Sequence, residues 1–166
     1  MPMITDARHD WVDARPFRMH CRRLLAETGL GVTELAVYAG VPPRVLHRLV
    51  GVGGRPLRKL FPVSAHRLMR IELHRLREAL ATPVRADPAV LLVRRLTTAA
   101  VPHEQLLAAL GGDELTLRAL GDGAEGTVLL RQELALSALA VAHGAVTVWC
   151  DEPEELGAAG AEPLAA

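Results

Sequence analysis

Arg44, His47 and Arg48 are the side chains most able to do recognition chemistry. They fall at positions i, i+3 and i+4, so on a helix they share one outward face. Two guanidiniums and an imidazole present donors that suit phosphate oxygens and the O6 and N7 acceptors of guanine. That chemistry points to nucleic acid.

A helix has to hold them, and the stretch from Val32 to Gly51 supplies one. VTELAVYAGVPPRVLHRLVG reads as two short helices around a tight turn. The first runs from Thr33 to Ala39 and turns Leu35, Ala36 and Ala39 inward. Gly40 takes the sharp turn, where a left-handed backbone costs glycine least. Val41 plugs the turn into the core. Pro43 opens the second helix, residues 43–50, because its missing N–H would lack an intrahelical partner there. Leu46 and Leu49, three apart, bury that helix against the first.

This arrangement resembles the helix-turn-helix of bacterial and phage repressors of the Cro type. Ala36, Gly40, Val41, Leu46 and Leu49 stand at that family's spacing. The resemblance implies that the second helix lies in the major groove and reads base edges with its early outward residues. Those are Pro42, Pro43, Arg44, His47 and Arg48, with Pro43, Arg44, His47 and Arg48 as the base-contacting set. One position departs from the pattern. The family favours Ser or Thr at the recognition-helix N-cap, and Pro42 stands there instead, removing one cap and one contact.

The flanking segments supply candidate phosphate contacts. In DARPFRMHCRRLLAETG, Asp13 reads as an N-cap and Pro16 as an early helical position. Phe17, Cys21, Leu24 and Leu25 fall on one face, and Gly29 ends the helix. Arg15, Arg18 and Arg22 line another face, and Arg18 and Arg22 join the phosphate set. The same face also suits plain solvent. Thr33 is added at the mouth of the next helix. After residue 50, GVGGRPLRKLFP carries Arg55, Arg58 and Lys59 on a Gly- and Pro-rich loop. That composition suits a wing against the DNA backbone or minor groove, or simply a soluble loop.

Ser64 then reads as the cap of one long helix, SAHRLMRIELHRLREAL. Ala65, Leu68, Met69, Leu73, Leu76 and Leu80 form its apolar stripe. Arg67, Arg70, His74 and Arg77 form a basic one, open to phosphate or to water. Pro83 stops the helix and TPVRAD reads as a linker. At Asp87-Pro88 a second copy begins, offset by 71 or 72 residues. RRL recurs at Arg94–Leu96, Gly40 matches Gly111, Leu46 matches Leu117, Leu49 matches Leu120 and Leu68 matches Leu139. A helix from Thr127 to about Ala142 closes it. Where the first copy has Pro42, Pro43, Arg44, His47 and Arg48, the second has Asp113, Glu114, Leu115, Arg118 and Ala119. Carboxylates there repel phosphate but suit the positive end of a helix. The second copy therefore reads as a protein contact.

The expected fold class is all-α: two tandem helix-turn-helix-like modules, a short C-terminal β segment at 145–150 and a disordered acidic tail. Residues 13–82 form the DNA-binding module, 87–150 the degenerate repeat used for dimerisation or partner binding, and 151–166 the tail. Charge follows this division. Residues 1–80 hold 14 Arg and Lys against 7 Asp and Glu, and residues 81–166 hold 5 against 12. A basic front and an acidic rear place nucleic acid at one end only.

Other chemistries find little footing. Cys21 and Cys150 are isolated, without disulfide or zinc spacing. His66 and His74 are eight apart on the chain, too far for an i, i+4 metal pair. The glycine runs lack the Lys-Ser/Thr of a phosphate-binding loop. Neither a signal peptide nor a membrane span is readable. The sequence thus leads to a cytoplasmic transcriptional regulator, a repressor in kind, without enzymatic activity, metal or cofactor. Its partners would be double-stranded DNA and a second copy, held through residues 87–150 or the 64–80 helix. The alternative is a helical protein-interaction adaptor whose charged halves pair with each other.

Overall fold

The order strand, three helices, strand, helix occurs twice in the computed structural model, which describes residues 11–146. The front unit comprises β1 (Val12–Asp13), α1 (Arg15–Thr28), α2 (Val32–Ala39), α3 (Pro43–Val50), β2 (Lys59–Leu60) and α4 (Pro62–Met69), followed by α5 (Leu73–Leu80). The rear unit comprises β3 (Pro83–Arg85), α6 (Asp87–Thr98), α7 (His103–Ala109), α8 (Glu114–Gly121), β4 (Thr127–Leu129) and α9 (Leu130–Ala142). Each unit is tied by an antiparallel ribbon, with Val12 opposite Leu60 in one and Val84 opposite Val128 in the other. The fold is mostly helical, as its Leu-, Ala- and Arg-rich composition favours.

Matching positions do matching work. Cys21 and Val93, Leu24 and Leu96, Leu35 and Leu106, Leu46 and Leu117, and Leu49 and Leu120 are all buried. Gly40 and Gly111 both take left-handed turns, at φ 65° and 72°. Gly29, at φ 69°, has Ala100 as its counterpart at φ 55°, the one non-glycine residue with positive φ among the described residues. A Cβ in that region is disfavoured by about 1–2 kcal/mol.

Several sequence expectations need correction. The long helix capped by Ser64 is two helices. The first starts at Pro62, whose fixed φ suits a first helical turn, so Ser64 sits inside it, buried, its hydroxyl without a hydrogen-bond partner. The chain then breaks at 70–72. Ile71 turns inward there, its N–H donating to the Leu68 carbonyl at 3.2 Å. His20 of α1 donates from Nε2 to the Ile71 carbonyl at 3.0 Å. The break lets α4 and α5 both pack on α1. Residues 64–80 are therefore no continuous helical face for a second copy.

TPVRAD is not a bare linker, because Pro83–Arg85 is β3. Likewise Thr127–Leu129 is β4 and the last helix begins at Leu130. The connection into that ribbon is shorter in the rear unit, so the register changes. Leu136, not Leu139, is the counterpart of Leu68, and both are fully buried. Asp13 lies one residue before the N-cap of α1, which is Ala14, and in the rear unit Ala86 holds that place, with Asp87 the first residue of α6. The β segment expected at 145–150 runs past residue 146. With the tail 151–166 and the first ten residues, it lies outside the described residues.

Helix α9 joins the units. It packs on α6 and α7 of its own unit and on α2 and α5 of the front one. Leu134 belongs to the front core, while Leu136 and Ala140 belong to the rear core. Arg131 donates to the Thr28 carbonyl at the end of α1. Leu134→Ala should therefore cost about 2–5 kcal/mol. Chemical denaturation should also show one transition for both units, with circular dichroism and tryptophan emission coinciding. Two resolved transitions would show that the units fold separately. A second outcome follows from Cys21, whose thiol burial pushes up to about 12. In a Cys150→Ser chain at pH 8, thiol-reactive reagents should label Cys21 slowly until denaturant opens the core.

Candidate nucleic-acid interface

Helix α3 is two-faced. Val45, Leu46, Leu49 and Val50 are buried, Pro43 and His47 half-buried, and Arg44 and Arg48 exposed. Its entrance is fixed by the turn after α2. The Val41 N–H donates to the Ala36 carbonyl at 3.0 Å around left-handed Gly40, and Val41 is fully buried. That is a helix stop sealed by an apolar plug. Pro42 is the N-cap and offers no side-chain cap, but its carbonyl accepts from Val45 and Leu46 at 2.9 and 3.2 Å. Arg67, from α4, donates to the Gly40 carbonyl and braces the turn.

The sequence-derived site residues fall into three groups. Thr33 and His47 meet each other, Oγ1 to Nε2 at 3.0 Å, pinning α2 to α3. They remain half-exposed beside Arg44 and Arg48. Arg18 and Arg22 turn toward the protein instead of standing free. Arg18 donates to the Leu49 and Leu57 carbonyls at 2.8 and 2.6 Å. Arg22 donates twice to the Val50 carbonyl, at 3.1 and 2.7 Å. The last carbonyls of a helix have no intrahelical donors, so these arginines cap α3. Sequence spacing, which offered them to phosphate, gave no sign of this role.

The third group is the loop after α3. It is exposed except at Leu57, and Arg55, Arg58 and Lys59 project from it. Its path is fixed by two backbone bonds, Leu57 N–H to the Arg48 carbonyl at 3.2 Å and Ala14 N–H to the Arg58 carbonyl at 3.0 Å. The loop thereby walls two adjoining clefts. One, of about 300 Å³, is lined by Trp11, Arg48, Arg55, Pro56, Leu57, Arg58 and Lys59. The other, of about 530 Å³, is lined by Asp13, Arg15, Arg18, Arg58 and Lys59. Arg58 and Lys59 border both, so the cationic surface of α3 continues to the start of α1. Asp13 is the single carboxylate lining either cleft, 3.8 Å from Arg15. Trp11 was invisible to sequence reasoning, since nothing in its neighbours announces a groove wall. The edge of its ring stands on Phe61, centroids 5.8 Å apart.

The rear unit builds the opposite surface. Asp113 caps α8, accepting from the Thr116 N–H at 3.0 Å and the Thr116 hydroxyl at 2.6 Å. Those bonds hold its carboxyl below the usual aspartate range, the hydroxyl's being the larger effect. Glu114 pairs with His103 at 3.1 Å. Leu115 stands 78 % exposed beside them. Among the described residues, no group of three His, Cys, Asp or Glu could hold a metal ion, and no helix is long and apolar enough to cross a membrane.

Comparison of the chain with protein-family models, with curated proteins and with solved structures gave no match.

The two kinds of arginine should separate in a stability measurement. Arg18→Ala leaves two carbonyls without their donor and should lower unfolding free energy by about 1–3 kcal/mol. Arg44→Ala, at an exposed site, should stay within about 0.5 kcal/mol of the parent. Equal losses in urea denaturation would contradict the assignment of Arg18 to the α3 cap.

Proposed function

We propose that this chain is a sequence-specific DNA-binding regulator of transcription, a repressor in kind, that reads the major groove with α3. One observation carries the reading. Arg44 and Arg48 stand exposed on a helix whose other side is fixed by burial, by the sealed turn before it and by arginine donors on its last carbonyls. A rigid helix with free guanidiniums is what bidentate recognition of guanine requires. The cationic clefts beside it support phosphate contact from Arg55, Arg58 and Lys59. Pro43 and His47 border the base-reading positions.

The rear unit takes a different part in this reading. Carboxylates at the tip of α8 disfavour phosphate, whereas exposed Leu115 favours a protein surface. We assign it to pairing with a second copy. A two-fold dimer would read an inverted repeat with half-sites about 34 Å apart, or a multiple of that.

Sequencing of duplexes selected from a random pool by the purified protein tests the proposal. A defined motif is expected, palindromic if the dimer forms. Arg44→Ala should weaken binding to that motif and relax one base position, a discrimination of about 1–3 kcal/mol. Arg58→Ala should weaken binding to every duplex and lower the salt slope by about one unit. Salt-dependent self-association without duplex retention would instead favour the adaptor reading.

A further inference from the structure

Helix α3 alone does not account for the cationic surface, which extends well past it. Arg48 belongs both to α3 and to the wall of the first cleft. From there Arg55, Arg58 and Lys59 lead to Arg15, at the first turn of α1. Trp11 lies along this path, 41 % exposed, its indole part of the first cleft's wall. Arg15 is exposed too, its side chain 85 % accessible beside Asp13. An exposed ion pair of this kind is worth little, so Arg15 is free to turn to a phosphate.

We propose that the two clefts together form one track for a single sugar–phosphate strand of the bound duplex, in which Arg15 contacts a phosphate and the Trp11 ring packs on a deoxyribose. The inference rests on the reading that α3 docks in the major groove, and it adds a contact outside that groove. Three features favour a nucleic-acid strand over a small anion. The clefts adjoin, giving length instead of enclosure. The second is lined by Asp13, Arg15, Arg18, Arg58 and Lys59, without the aliphatic and aromatic residues that predominate in small-ligand pockets. The aromatic lies on the side nearer α3, where a strand emerging from the major groove would bring a sugar face past it. Phosphate and sugar contacts of this kind fix register and carry no base preference.

The full-length protein and two duplexes, the selected motif and an unrelated sequence, test the track. Each lost phosphate contact lowers the slope of log K against log salt by about 0.9 on B-DNA. Arg15→Ala should therefore lower the slope by about that much on both duplexes. In a Trp149→Phe chain, duplex should change the emission of Trp11, now the sole tryptophan. Trp11→Ala should weaken both duplexes several-fold with the slope unchanged. Trp11→Phe, which keeps a ring against Phe61, should restore most of the loss and guards against a folding defect. An unchanged slope for Arg15→Ala, or Trp11 emission blind to duplex, overturns the track. If Arg44→Ala still relaxes the motif in that case, α3 reading survives without it. A parent protein that retains no duplex at low salt overturns both.

Discussion

The direction in which α3 points is set by two arginines that never leave the protein surface. A helix ends in carbonyls without donors and a partial negative charge. Arg18 and Arg22 of α1 meet that end with charged hydrogen bonds to Leu49 and Val50. The other end is fixed by Gly40, Val41 and the brace from Arg67. Thr33 and His47 close the middle. Arg44 and Arg48 thus ride on a helix with little freedom to tilt, and a recognition surface requires that rigidity. Arg94, the counterpart of Arg22, likewise lies against a glycine after the third helix: a Cβ on Gly123 would come within 2.6 Å of its guanidinium.

Two units of one plan give this chain two opposite surfaces. The buried positions of the two units match, because both must pack three helices against a ribbon and a fourth helix. The outward positions of the third helix are under no such constraint. In front they carry Arg44 and Arg48, with Pro42 buried and Pro43 half-buried, and behind they carry a capping carboxylate, a glutamate within hydrogen-bonding distance of His103 and an exposed leucine. The scaffold is common to both units, and the outer face of the third helix is where their chemistry is most opposed.

How far the sequence could be read depended on the reach of each signal. The α2–turn–α3 pair was legible because Gly40, Val41, Pro43, Leu46 and Leu49 act within a few residues of one another. The second copy was legible for the same reason, through Gly111, Leu117 and Leu120. The ribbons were not, since two- and three-residue strands have no periodicity and are held by partners more than forty residues away. The break between α4 and α5 was hidden too. Neither glycine nor proline marks it, and it follows from where Ile71 can be buried. The roles of the arginines were hidden by chemistry itself. Arg18, Arg22, Arg44 and Arg48 look alike on a helical wheel, and only tertiary structure tells which guanidiniums meet a carbonyl. Arg44 and Arg48 are exposed on the outer side of α3, with Pro43 and His47 half-buried beside them. Trp11 and Arg15 entered the candidate surface only through the clefts.

The sharing of α9 between two cores bears on how the protein is made. A polypeptide leaves the ribosome from its first residue onward and folds by units as they emerge. Here the leading unit awaits Leu134, which the trailing unit's last helix delivers. A nascent chain that stalls before that residue presents a front unit with an open seam in its interior. Translation of the whole chain is thus a checkpoint on the front unit, imposed by packing alone.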